Sequence, residues 1–159
     1  MKNLLKGTLT EENLLKAFAG ESQARNRYTF FASKAKSEGY EQIAAIFATT
    51  ADQEREHAKR VFKYFEGGVA TIHNATFPSG VISTTEHNLV AAAEGEHEEW
   101  GVLYPSFAET ALAEGFTKVA HTSKLVAEVE KEHERRYLKL LSRLTDGDFF
   151  RRDGEIVWQ

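Results

Sequence analysis

Glu54-Arg55-Glu56-His57 and Glu130-Lys131-Glu132-His133 repeat one Glu-x-x-His tetrad 76 residues apart, and the reading of that pair decides the fold. On a helix, residues three apart sit one above the other on one face. Each tetrad therefore presents a carboxylate beside an imidazole. Each also lies inside an apolar stripe at heptad spacing: Ile43, Phe47, Thr50, Glu54, His57, Val61, Tyr64 around the first, and Val119, Ser123, Val126, Glu130, His133, Tyr137, Leu140, Leu144 around the second. Two further stripes, Leu14, Phe18, Glu21, Arg25, Tyr28, Ala32, Ala35 and Leu89, Ala92, Glu96, Glu99, Leu103, carry ionisable groups at their middle as well. The periodicity predicts an all-α chain with helices over about 10–38, 40–66, 84–113 and 116–145, and no strand before residue 146.

Working outward, Gly39 and Gly115 sit where tight helical hairpins turn, inside the matching phrases Glu38-Gly39-Tyr40 and Glu114-Gly115-Phe116. Thr8-x-x-Glu11 or Thr10 is read as the cap of the first helix, and Ser83-x-x-Glu86 as a capping box opening the third. Residues 67–83 have no helical stripe and contain Gly, Pro and Ser. Fully extended, that segment reaches roughly 56 Å, while a helix of about 27 residues is roughly 40 Å long. It can cross from one end of a bundle to the other. The expected architecture is a four-helix bundle of two hairpins joined by a long crossover, as in ferritin-like bundles, over residues 1–145, with a short tail over 146–159.

The hairpins repeat each other. Glu21 and Glu96 are 75 residues apart, whereas Glu38 and Glu114, Glu54 and Glu130, and His57 and His133 are 76 apart, so one residue has been added between Glu96 and Glu114. Pro105 falls in that interval, where its ring clashes with the preceding turn and removes a backbone hydrogen bond. A kink or π-bulge is expected there. Counting from the turns, Glu21 stands 18 residues before Gly39 and His57 18 after it, and the second hairpin has Glu96 19 before Gly115 and His133 18 after. All these groups converge on one layer of the bundle.

Burying that many carboxylates without compensation is prohibitive, since each unpaired buried ion costs several kcal/mol and like charges repel. Arg25 is the lone Lys or Arg on the four stripes. The pattern of one Glu from each of two helices and Glu-x-x-His from each of the others is known from di-metal carboxylate bundles and is identified here as such. Four Glu and two neutral His balance two divalent ions; on oxidation by two electrons, Glu99 can join as a fifth carboxylate. His and carboxylate ligands suit iron or manganese, and fit calcium or closed structural zinc poorly. The chain has no Cys, which excludes disulfides, thiol nucleophiles and thiolate-held clusters. Its net charge of −4, with both signs interspersed, excludes an extended nucleic-acid or anionic-membrane surface, and nothing in the sequence marks a membrane span or secretory signal, so the expected location is cytoplasmic. His73, His87, His121 and the Glu94-x-x-His97 pair, all off the stripes, are read as surface groups. Tyr28 and Tyr104 are read either as core aromatics or as phenols hydrogen-bonded to carboxylate ligands.

The stretches Gly20-Glu21-Ser22-Gln23-Ala24-Arg25-Asn26-Arg27-Tyr28, Glu54-Arg55-Glu56-His57, Gly95-Glu96-His97-Glu98-Glu99-Trp100, Tyr104-Pro105 and Glu130-Lys131-Glu132-His133 resemble the ligand motifs of the rubrerythrin family over nearly the whole chain. The resemblance implies a non-haem di-iron peroxidase that reduces hydrogen peroxide to water and is restored by a donor such as rubredoxin on an NAD(P)H-dependent reductase chain. It implies Glu54 and Glu130 as bridging ligands and Glu21, Glu96 and His133 as terminal ones. The resemblance further implies that His57 and Glu99 exchange at one iron between redox states and that Tyr28 and Tyr104 act as supporting donors. A ferroxidase or iron-storage protein and a manganese catalase are the competing readings, and a homodimer or higher homo-oligomer, with or without swapped helix pairs, is expected. Full-length family members continue into a rubredoxin-like domain on four cysteines. Residues 149–158 read as a two-strand hairpin across Asp153-Gly154, with Gln159 taken as a truncation point ahead of that missing domain.

Overall fold

The computed structural model of the chain describes residues 4–150. The helices are α1 (Leu9–Ser37), α2 (Glu41–Phe62), α3 (Thr85–Glu98), α4 (Tyr104–Ala113) and α5 (Thr117–Thr145), with a π-helical turn over Glu99–Leu103 joining α3 to α4. Among the described residues there is no strand. The Asp153-Gly154 hairpin and Gln159 lie outside the described residues. No helix among them is long and apolar enough to cross a membrane.

The π turn explains the added residue of the second hairpin. The Tyr104 N–H reaches back to the Glu99 carbonyl, five residues earlier, and Pro105, which has no N–H to offer, sits in the first turn of α4 where none is needed. The extra residue also rotates the helix surface. Leu103, on the expected buried face, is exposed, and its neighbour Tyr104 is buried instead.

The α1 stripe needs a similar correction. Its buried arc runs through Leu14, Ala17, Glu21, Ala24, Tyr28, Phe31 and Ala35, while Phe18, Arg25 and Ala32 are only partly buried. A helix packed between α2 on one side and α3 with α4 on the other buries a wide arc. Small residues at 17 and 24 let those neighbours close in.

The Ser83 capping box is also corrected. Thr84 is the N-cap of α3, its hydroxyl accepting from His87 N, and the Ser83 N–H is bonded by the Asn88 side chain. At α1 the cap is Thr8, accepting from Glu11 N at 3.1 Å, while the Glu11 carboxylate accepts from Gly7 N at 2.8 Å.

Both hairpin turns place Gly39 and Gly115 at positive φ, 86° and 84°, which only glycine adopts at little cost. The glutamate before each glycine caps the first helix of the opposite hairpin. Glu38 accepts from Thr85 N at 2.9 Å and Thr85 Oγ1 at 2.6 Å. Glu114 accepts from Leu9 N at 3.1 Å, Thr10 N at 2.8 Å and Thr10 Oγ1 at 2.6 Å. These contacts set the topology: the end of α1 meets the start of α3, and the end of α4 meets the start of α1. The segment between Phe62 and Thr85 therefore runs the length of the bundle, held to α1 by Glu12, which accepts from His73 N at 2.7 Å.

Two apolar clusters fill the ends of the bundle. One gathers Tyr28, Phe31, Ile43, Phe47, Leu89 and Tyr137, the other Leu14, Val61, Tyr104, Phe107, Val119 and Val126. The ionisable layer lies between them.

Bonds from Thr85 hold the Glu38 carboxyl down to about 2, with Lys34 assisting. In Glu114, burial opposes the shift, but Thr10 and Leu9 still bring its carboxyl below the usual range. Such caps stabilise fully above the ordinary carboxyl value of 4.5 and are lost as pH falls toward 2. Glu38→Gln is expected to lower unfolding stability at pH 7 by roughly 1–2 kcal/mol and to flatten that acid limb; denaturant titrations followed by circular dichroism at pH 7, 4 and 3 check both.

Candidate metal centre

Six of the seven expected ligands meet in the layer between the apolar clusters. Glu21 comes from α1, Glu54 and His57 from α2, Glu96 from α3, Glu130 and His133 from α5. They form two sets of four, Glu21, Glu54, His57, Glu130 and Glu54, Glu96, Glu130, His133, and within each set one ligand atom per residue lies within 4.8 Å of the others. Glu54 and Glu130 belong to both. The seventh, Glu99, stands at the start of the π turn, half-buried and in neither set.

Distances are short and poorly directed for hydrogen bonds. His57 Nδ1 lies 2.7 Å from Glu130, 3.4 Å from Glu54 and 3.6 Å from Glu21. His133 Nδ1 lies 2.7 Å from Glu130, 3.1 Å from Glu54 and 3.7 Å from Glu96. Yet both Nδ1 atoms, both oxygens of Glu54 and of Glu130, and one oxygen each of Glu21 and Glu96 are buried without a hydrogen-bond partner. Orphaned polar atoms are rare in a folded interior. Eight of them aimed at one another match a donor set that converges on cations. No Lys or Arg among the described residues forms an ion pair with these glutamates; Arg25 instead lines an outer groove with Arg55, Lys59 and Phe62. A buried network satisfied by side-chain cations is thereby excluded for the described residues.

The electrostatics record the same imbalance. Burial and the charge of Glu54 push the Glu21 carboxyl up to about 8, and burial with Glu54 and Glu130 raises Glu96. Burial disfavours charge on the imidazoles, but the carboxylates around them outweigh it: Glu130 and Glu54 push His133 up to about 12, and Glu130 and Glu21 raise His57 strongly. Without metal, protons replace part of the missing positive charge.

Tyr28 donates to Glu96 at 2.5 Å, and Tyr104 donates to Glu21. Each phenol thus crosses to the carboxylate of the opposite hairpin, so the two tyrosines are core aromatics and donors at once. Tyr137 rests its ring against Tyr28 at 5.5 Å and Phe47 at 5.1 Å.

Two neighbours escaped the sequence reading. Gln53 Oε1 lies 3.0 Å from His133 Nε2; an acceptor there keeps the proton on Nε2 and leaves Nδ1 to face the carboxylates. Glu134 accepts from Trp100 Nε1 at 2.5 Å and pairs with His97 Nδ1 at 2.9 Å, tying the outside of the π turn to α5. Adjacency to Glu54 and to His133 was the available signal, but partners on another helix cannot be read from one helix's periodicity. His73, His87, His97 and His121 are exposed.

Comparison with known proteins agrees with this geometry. A family model described as Rubrerythrin matches residues 12–141. The chain is 60% identical over 159 residues to the rubrerythrin of Porphyromonas gingivalis, an alignment covering 100% of this chain and 79% of that protein. It is 50% identical over 155 residues to the rubrerythrin of Nitratidesulfovibrio vulgaris, covering 98% and 81%. A solved structure of nigerythrin in its fully reduced, all-ferrous state superposes with a TM-score of 0.76 at 32% identity, covering 90% of this chain and 73% of that one.

Two measurements test the cation requirement. Anaerobic Fe²⁺ at a hundredfold excess over its Kd is expected to raise stability by about 2.7 kcal/mol, a Tm increase of roughly 5–10 °C, in calorimetry. Glu130→Ala, which removes a side chain from both sets, is expected to bind well under two metal ions per chain by elemental analysis; unchanged stoichiometry contradicts the assignment.

Proposed function

The chain belongs to the rubrerythrin family, and from that membership we propose that it is a non-haem di-iron peroxidase, reducing hydrogen peroxide to water with electrons from rubredoxin or a similar donor supplied by an NAD(P)H-dependent reductase. The observation that carries this reading is the pair of ligand sets sharing Glu54 and Glu130. Four glutamates and two neutral histidines balance two divalent ions. When bound, the iron pair supplies two electrons, one per ion, which with two protons is what converts one hydrogen peroxide to two water molecules.

The residues divide the work. Glu54 and Glu130, which belong to both sets, would be shared between the two ions, and Glu21, Glu96 and His133 would each serve one of them. Tyr104 and Tyr28 orient Glu21 and Glu96; burial raises both phenols well above 10.0, so they remain O–H donors throughout the working pH range. Gln53 fixes the ring orientation of His133. His57 already faces Glu21, Glu54 and Glu130, whereas Glu99 stands outside both sets; these two would be the residues to exchange at a bound ion as its charge changes. Burial and the charges of Glu21 and Glu96 raise the Glu99 carboxyl.

Stopped-flow mixing of the diferrous protein is expected to give faster oxidation by peroxide than by oxygen; the reverse order, with iron deposited as a core, defines a ferroxidase. Oxygen release from peroxide with no donor present defines a manganese catalase. Glu99→Ala is expected to keep two metal ions in the reduced protein and to lower peroxide turnover by about 10²-fold or more. Equal metal loss in both redox states contradicts the exchange with His57.

A further inference from the structure

Gly20 and Gly95 are the residues immediately before the terminal glutamates Glu21 and Glu96, each well inside a helix. A glycine in a helix interior is a net cost relative to alanine and calls for a reason. Packing does not supply one. A Cβ built on Gly95 meets nothing within 4 Å, and one built on Gly20 meets only the Glu99 Oε1 at an ordinary 3.8 Å. Neither glycine has positive φ. Alanine fits at both positions, so what the glycines leave is space.

That space is where two surface clefts converge. A cleft of about 680 Å³ between α1, the crossover and α4 is lined by Gly20, Gly95, Glu99 and Tyr104. A second, of about 420 Å³, is lined by Tyr28, Gly95 and Glu99. Pro78 of the crossover borders both. Glu99, at their meeting point, accepts no hydrogen bond and forms no ion pair with any described residue. On the opposite, α2 side of the layer the His57 side chain is 14% exposed.

We propose that Gly20 and Gly95 form the port through which peroxide reaches Glu99 and the centre, and that their missing side chains set the largest hydroperoxide admitted. The port admits hydrogen peroxide and restricts hydroperoxides that carry a bulky carbon group. The substrate class rests on the peroxidase reading above; the port itself does not.

The chain has no Cys, so Glu99→Cys in the full chain, freed of metal by chelation, carries a single reporter thiol. Its labelling by methyl methanethiosulfonate is expected to slow about threefold when Gly20 and Gly95 are both alanine and about tenfold when Gly95 is leucine. Labelling of Ser106→Cys, exposed on the α4 side of the larger cleft, stays unchanged. In the otherwise native chain each Gly→Ala change is expected to raise Tm by roughly 1–4 °C. In the iron-loaded chain, Gly95→Leu at unchanged metal content lowers kcat/KM for hydrogen peroxide, and Gly95→Ala lowers it more for cumene hydroperoxide than for hydrogen peroxide. Labelling within twofold of the glycine parent in every variant, or a fall in Tm on Gly→Ala, overturns the port. Labelling of the Glu99→Cys series as expected, with no peroxide reduction by the iron-loaded chain that keeps Glu99, overturns the peroxidase reading and leaves the port standing.

Discussion

Four glutamates pressed together between two apolar clusters, with two imidazoles as the nearest cations, form the constraint on which this molecule depends. In water such groups would repel weakly and stay apart. In a bundle interior their repulsion and desolvation are worth many kcal/mol unless positive charge is placed among them. The orphaned oxygens of Glu21, Glu54, Glu96 and Glu130, and the raised Glu21 and Glu96 carboxyls, are two expressions of that one deficit. An interior of this kind calls for cations among its carboxylates.

The approximate twofold repeat extends beyond the ligands. Glu38 and Glu114 are each donated to by a backbone N–H and a threonine hydroxyl across the hairpin boundary, and Tyr28 and Tyr104 cross the same boundary in the interior. Each hairpin therefore contributes to the ends and to the centre of the other. Relative sliding of the hairpins would break caps and carboxylate supports together, which keeps the ligand layer in register.

The repeat is broken between Glu96 and Glu114, where the second hairpin has one residue more. The π turn inserts a residue between Glu99 and Tyr104 and gives the second hairpin a carboxylate, Glu99, with no counterpart in the first. Around it the helices carry glycine and the crossover stands off to leave clefts. The opposite, α2 side presents His57 with little exposure. The two faces of the layer thus differ: one carries clefts and the carboxyl of Glu99, the other the imidazole of His57.

Much of this was legible from one strand of text. The duplicated Glu-x-x-His, the glutamates at matching distance from Gly39 and Gly115, the 75-to-76 shift and Pro105 together determined the bundle, the depth of the layer and the presence of an irregular turn, because helix geometry converts residue number directly into height and face. Tertiary structure decided what periodicity cannot carry. It decided that α1 buries Ala17, Ala24 and Phe31 rather than Phe18, Arg25 and Ala32, that Thr84 and not Ser83 caps α3, and that Gln53 and Glu134 reach across to neighbouring helices. It also decided that Glu99 rests outside both ligand sets. Each of these depends on the rotation of one helix against another, and that rotation is set by the packing of side chains far apart in sequence.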